Sequence, residues 1–424
     1  MMSFSVVPGW AKGIFILPGA RESAMGSAIT AVADDATAVY YNQAGLAQQN
    51  GAGIEAASFF LNANATSNKS LANAAIPNAD NGDFPLPNLY ALHLSPAPEP
   101  TQYNSKQFDT SADVPFIGAY KSVNNVTYAL SVYGIGGGGG QWNDSVPALG
   151  GLTKIDASID GSYAYIIYNI SAATKLTSKL MLGLGIDFVN MVDNENVQKY
   201  FKGVYGMAVN QSATGYGMQV NGGLLYKFDD KWKGGLVLRS GTDIKLNGQA
   251  KVYEGFPYGT NLQTDYSDDY TYPLTASVGV SYEPQSNLTL ALSVDQNQYS
   301  EMHETCKYNN QVPQVFVNNA GPLQGRDWND TTQLHVGAEY RCTDKLALQA
   351  GIQNDPAPFS TNQLTLTELN QYNFMYYSVG AGYKLGQVKV DVCYAYCPSD
   401  TPSVGDRSYQ YNLNVLRLGL RYSF

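Results

Sequence analysis

Apolar and polar residues alternate with period two through most of the chain after about residue 50. That alternation confines the backbone to extended strands with two chemically distinct faces. The C-terminus shows it in full. Leu416, Leu418, Leu420, Tyr422 and Phe424 share one face, and Val415, Arg417, Gly419, Arg421 and Ser423 share the other. The split recurs at Val388, Val390, Val392, Tyr394 and Tyr396 against Lys389, Asp391 and Cys393, and at Leu334, Val336, Ala338 and Tyr340 against His335, Gly337, Glu339 and Arg341. A soluble β-sandwich alternates as well, but its outer face is rich in Lys and Glu. Here the polar face is mostly Gly, Ser, Thr and Asn. Only 14% of the 424 residues are charged, against about a quarter in ordinary soluble proteins.

The connections alternate too. Tight turns fall near Val123–Asn125, Leu176–Ser178, Asp229–Lys231, Gln285–Asn287, Thr343–Lys345 and Gly386–Gln387. Longer polar connections are expected at 62–113, 136–158, 193–213, 250–270, 300–330, 354–372 and 398–413. Short turns at one end and long loops at the other are the asymmetry of outer-membrane barrels. About fourteen strands fit between Gly53 and Phe424, an even number, as antiparallel closure requires. Tyr282, Tyr340, Tyr383 and Tyr422 lie near strand ends, where an aromatic girdle meets the interface. Closure also leaves no edge to protect. The fold class predicted is all-β: a transmembrane antiparallel barrel. No run of about 18 apolar residues supports a membrane helix. The formal charge of -10 disfavours a nucleic-acid partner.

Residues 1–50 stand apart from this ladder. Glu22 to Gln49 is rich in Ala, Gly and Ser without sustained alternation, and reads as short helices and turns. So short a segment cannot easily build its own core, and the polar strand faces inside a barrel would give it partners. The domains expected are thus a plug, 1–50, and a barrel, 51–424. Met1–Ala11 lacks the charged and apolar regions of a complete secretory signal, so any such signal is absent or already removed. Of the cysteines, Cys393 and Cys397 share a strand face, about 13 Å apart when extended, beyond disulfide reach. Cys306 and Cys342 complete the set. The only histidines, His93, His303 and His335, are too scattered to join a zinc site. The thiols read as unligated, with room for one cross-strand bridge.

Specific motifs then carry a family likeness. Gly19-Ala20-Arg21, Ala24-Met25-Gly26-Ser27-Ala28 and Ala33-Asp34-Asp35-Ala36-Thr37-Ala38-Val39-Tyr40-Tyr41-Asn42-Gln43-Ala44-Gly45-Leu46 resemble the N-terminal hatch of the FadL/TodX-type outer-membrane transporters of hydrophobic compounds. Asn354-Asp355-Pro356-Ala357-Pro358, Tyr377 to Tyr383, Val390 to Tyr396 and Tyr422-Ser423-Phe424 look like that family's last strands. The resemblance implies a 14-stranded barrel plugged by the hatch in a Gram-negative outer membrane. It implies passive uptake of long-chain fatty acids or aromatic hydrocarbons, released sideways into the membrane near a kinked third strand. Asp34, Asp35, Asn42, Gln43 and Ala44 form the hatch motif. The family's usual Asn-Pro-Ala is here Asn42-Gln43-Ala44, which restores an N–H and frees φ.

Three further groups are candidates. Gly134-Ile135-Gly136-Gly137-Gly138-Gly139-Gly140 closes the third strand without the Lys-Ser/Thr of a phosphate loop; it is either a surface loop or an interrupted strand, with Gly134, Gly136, Gly137 and Gly138 at a lateral gap. Asp187, Arg239, Asp295, Glu339, Arg341, Asp391, Arg417 and Arg421 point into the lumen on alternation, where buried charges must pair. Phe84, Leu86, Leu89, Tyr90 and Leu92 form an apolar patch in polar surroundings, either a capture groove or loop packing. The partners expected are a hydrophobic small molecule, outer-membrane lipid and lipopolysaccharide, around a monomer without cofactor, metal or catalytic residue. A lipid-modifying barrel enzyme is the alternative, with His335 the only strand histidine; a polar-solute porin is a third, disfavoured by the plug.

Overall fold

The computed structural model describes residues 17–67, 116–148, 153–201, 205–254, 260–302, 304–309, 328–358, 373–400, 403–404 and 407–424. Its strands are β1 (Ala52–Ser67), β2 (Phe116–Val123), β3 (Val126–Ala148), β4 (Thr153–Lys175), β5 (Leu180–Phe201), β6 (Tyr205–Lys227), β7 (Trp232–Arg239), β8 (Thr242–Glu254), β9 (Thr260–Tyr272) and β10 (Thr275–Gln285). They continue as β11 (Leu288–Asn297), β12 (Glu304–Tyr308), β13 (Thr331–Arg341), β14 (Leu346–Asp355), β15 (Phe374–Leu385), β16 (Val388–Asp400), β17 (Ser403–Val404) and β18 (Arg407–Ser423). Three staves are each built from two segments: β7 with β8, β9 with β10, and β11 with β12. The short β17 pairs only with the start of β18. Fourteen antiparallel staves remain, and β1 pairs both β2 and β18 to close the barrel.

The alternation sets which face looks outward. Leu184, Ile186, Phe188, Leu416, Leu418 and Leu420 are exposed on the outer wall, while Asp187, Val415 and Arg417 are buried inside. Hydrocarbon solvates that outer wall without cost, because the inter-strand ladder pairs backbone N–H with C=O. Where the ladder is interrupted, side chains take over, as at Leu334 N, which donates to Asn354, and Met218 N, which donates to Thr242. The tight turns lie where the sequence places them. Asn124 (φ 55°) and Gly386 (φ 64°) take the left-handed conformation that a two-residue hairpin needs.

The expected long connections are shorter than the sequence suggests. β3 and β4 run unbroken through most of 136–158, and β5 with β6 through most of 193–213. β8 and β9 likewise occupy most of 250–270. These extensions read as loops because strand beyond the apolar belt can be polar on both faces. The period-two signal then vanishes although the ladder continues.

Residues 17–50 lie inside the barrel as α1 (Ala20–Ala24), α2 (Ala38–Tyr41) and a 3₁₀ turn at Gln43–Gln48. Helices this short have no stability of their own, and almost every residue from Leu17 to Ala47 is buried. The wall makes room with inward glycines. A Cβ on Gly235 would stand 2.6 Å from the Thr30 carbonyl carbon, and one on Gly351 2.6 Å from the Gly26 Cα. The hatch backbone therefore rests directly on the strand backbone.

Candidate functional site

The hatch is fixed to the wall by a buried charge seam near the short-turn end. Arg21, on α1, donates to both oxygens of Glu339 on β13, from Nε at 2.7 Å and Nη2 at 3.1 Å. Its Nη1 reaches Asp34 at 2.6 Å. Such bidentate pairing is what makes a buried guanidinium tolerable. Gln349 adds a third hydrogen bond to Glu339 at 3.0 Å. Arg421 on β18 donates to Glu55 from Nε at 3.1 Å and from Nη2 at 3.3 Å, and also to Asp35. Burial raises the Asp35 carboxyl, but Arg421 and the other donors around it outweigh that and hold it below the usual carboxylate range.

The other lumen charges divide. Asp187 accepts from Asn169 at 2.6 Å and Asn221 at 2.8 Å, with Arg239 Nε at 3.8 Å. Arg239 donates to the Tyr40 carbonyl at 2.9 Å and lies over the Tyr40 ring, 4.5 Å from its centroid. Asp391 pairs with Lys389 at 3.1 Å. Arg417 joins no ion pair among the described residues; it donates to the Leu17 carbonyl and faces Phe59. Arg341 departs from the expected lumen network. It ends β13 at the rim, exposed, and donates to the Ser286 carbonyl. Alternation assigns its face correctly but not its depth, and at the rim that face is open to water. Glu55 was missed from sequence, although a lone carboxylate on the inward face of β1, beside outward Ile54, is a readable signal.

The hatch motif is buried except at Asp34. Asn42 Oδ1 accepts from Ala44 N at 3.1 Å, while its Nδ2 donates to the carbonyls of Thr30 at 2.7 Å and Leu224 at 3.0 Å. One side chain thus caps a 3₁₀ turn, ties two hatch segments and staples both to β6. Gln43 returns its amide to the Val39 carbonyl at 2.8 Å. His335 lies beneath the hatch, with Nδ1 2.9 Å from the Gly26 carbonyl and Nε2 3.2 Å from Asp295.

Glu22, Asp35 and Glu55 bring oxygens within 4.8 Å of one another. That spacing could hold a metal ion, but Arg421 already supplies positive charge to two of the three. Between the hatch and β10, β11 and β13 lies a cavity of about 30 Å³, lined by Ser27, Tyr40, Arg239, Tyr272, Asp295 and Asn297 among others, roughly the space of a single water.

Aromatic rings fill much of the remaining interior. Tyr133, Tyr165, Tyr270 and Tyr299 are fully buried. Successive ring contacts run from Tyr41 to Tyr40 (5.0 Å), on to Tyr133 (5.9 Å) and then Phe116 (6.1 Å). Phe116 and Tyr133 form the last described pair between β2 and β3. Just beyond, the β3–β4 ladder slips between Gly134 and Gly136, leaving Ile135 as the extra residue of a bulge. Gly136, Gly137 and Gly138 then pair with Tyr165, Ala164 and Tyr163. The glycine run is therefore strand bonded to β4 rather than a loop. The expected capture patch, Phe84, Leu86, Leu89, Tyr90 and Leu92, lies outside the described residues.

Known proteins share this arrangement. Outer membrane protein P1 of Haemophilus influenzae is 23% identical over 348 residues, covering 67% of this chain and 69% of its own. A FadL homologue of Pseudomonas aeruginosa superposes with TM-score 0.72 at 15% identity, over 97% of this chain and all of the homologue. The toluene transporter TodX of P. putida superposes with TM-score 0.69 at 14% identity, over 96% and 98% of the two chains. At those identities the superpositions establish the plugged-barrel fold alone. Residues 15–420, hatch and barrel together, match the family model of the outer membrane protein transport proteins (OMPP1/FadL/TodX), and the chain belongs to that family.

Proposed function

We propose that the protein moves small hydrophobic molecules passively through the outer membrane. Substrate enters from the long-loop end and leaves sideways into the bilayer beside the β3 bulge. The carrying observation is the aromatic string from Tyr40 to Phe116, which connects the hatch with that bulge. The hatch fills the axis, so a polar solute has no straight aqueous route. An apolar one gains about 0.8 kcal/mol per CH₂ on reaching lipid. In this reading the chain carries out no covalent chemistry. His335, the strand histidine an enzyme would use, is already engaged with the hatch and Asp295, and among the described residues no nucleophile is placed beside it for activation. The protein acts as a monomer against lipid and lipopolysaccharide.

Fatty acids and monoaromatic hydrocarbons both fit an aromatic-lined route. Mass spectrometry of ligand extracted from purified protein, together with uptake into cells carrying Gly136→Val and Gly137→Val, tests the proposal. A co-purified apolar molecule and a loss of uptake are expected. A hydrolysis product, or unchanged uptake in a folded double variant, would refute it.

A further inference from the structure

The carboxylates of the charge seam outnumber its cations. Glu22, Asp35, Glu55 and Glu339 are buried together, and among the described residues the cations between them are Arg21 and Arg421. Arg421 is committed to Asp35 and Glu55, and Arg21 to Glu339 and Asp34. Glu22 is left over. It is fully buried on α1, and neither of its oxygens has a hydrogen-bond donor among the described residues. The nearest guanidinium nitrogens, on Arg21 and Arg421, stand 3.7 Å and 4.0 Å from Oε1, beyond hydrogen-bond length. A naked carboxylate in that setting carries a desolvation penalty that neither arginine offsets.

We propose that Glu22 is a proton-binding site: it is docked as the neutral acid, its proton shared with the Asp35 carboxylate, and this proton latches the hatch to the wall. A neutral Glu22 can donate to an oxygen of the three-carboxylate group, which spans less than 4.8 Å. The proton also lowers the seam's excess negative charge. The remaining facing groups cannot substitute for it. Tyr41 on α2 donates to the Pro18 carbonyl, Arg417 on β18 to the Leu17 carbonyl, and Lys389 on β16 pairs with Asp391. Cys393 on β16 is a buried thiol packed against Ala20 and Ala24.

Burial, then Asp35 and Glu55, push the Glu22 carboxyl well above its ordinary range, with Arg21 opposing. A raised acid stabilises the docked state below the pKa it has when undocked, and that contribution is lost as pH rises through the docked value. Asp35 is depressed, so its contribution is lost only in acid. The latch therefore holds between the two and loosens on the alkaline side. This inference is independent of what the channel carries.

The test uses the full chain in lipid bilayers. Infrared spectra should show the carbonyl band of a protonated carboxyl near neutral pH, and Glu22→Gln should lack it. Hydrogen exchange of the 17–50 peptides, corrected for intrinsic rate, should lose up to about tenfold protection per pH unit as pH rises from the ordinary carboxyl range to the Glu22 midpoint and level off above it, and E22Q should abolish that dependence. Heat-modifiable migration confirms that E22Q is a closed barrel; if it fails to fold, titration of the wild-type band decides alone. A missing band, an identical pH profile in E22Q, or hatch protection that requires calcium and is lost with EDTA would each overturn the proposal.

Discussion

Valine at Gly235 and Gly351 together should unseat the hatch while leaving the barrel closed. At each site the first added carbon would stand 2.6 Å from a hatch backbone carbon, nearly 1 Å inside the separation of about 3.5 Å at which carbon atoms rest. The obstruction is backbone on both sides, so no rotamer change relieves it. Overpacking of this kind costs about 1–3 kcal/mol per site, or about 2–6 kcal/mol for the pair. The strands themselves tolerate valine well. The strain is thus released most cheaply by moving the hatch, whose short helices have no independent stability. The readouts are ion conductance in planar bilayers and hydrogen exchange of the 17–50 peptides. Raised conductance with loss of protection is expected, and each single variant should be intermediate. A sealed double variant with wild-type protection would show that the close approach does not hold the hatch, and the steric reasoning would fail.

Arg21→Ala strands Glu339 in the interior and should weaken hatch docking by about 3–5 kcal/mol, whereas Arg341→Ala at the rim should leave it unchanged; comparing hatch exchange in the two separates seam from rim. Asn42→Ala removes a cap and two cross-links, and a loss of about 1–3 kcal/mol in hatch protection is expected. Gln43→Pro should be tolerated within about 1 kcal/mol, as judged by thermal melting. Asn42 is already extended (φ −169°, ψ 105°), as a residue before proline prefers, and Gln43 opens the 3₁₀ turn. A strongly destabilised Q43P variant would mean that the Gln43 bond to Val39 matters more than the backbone geometry.

Hatch and staves were readable for different reasons. Within the apolar belt one strand face must be greasy, so Leu416 to Tyr422 declares its orientation residue by residue. Beyond the belt that compulsion ends, and Trp142 to Ala148 is strand without looking like it. Turn chemistry at Asn124 and Gly386 was local and legible. Depth was not: Glu339 and Arg341 share a face two residues apart, yet one is sealed under Arg21 and the other meets solvent. Nor can a linear pattern show that Glu55, Asp35 and Glu22 converge, because strand closure and hatch docking together bring them within reach.

The hatch seat also sets an order of assembly. Its contacts are spread around the wall, from Gly183 on β5 through Gly235, Gly337, Gly351 and Gly380 to Gly419 on β18. The last of these is the stave that pairs with β1. The hatch, which precedes every stave in the sequence, therefore has no complete resting place until β18 has joined the wall. Residues 17–50 must wait, unseated, while the intervening chain inserts, and the loop-closure entropy of that wait is recovered only at the end. Barrel closure is in this sense a precondition of hatch docking, and a chain stalled before β18 would leave its plug without a complete wall to rest on.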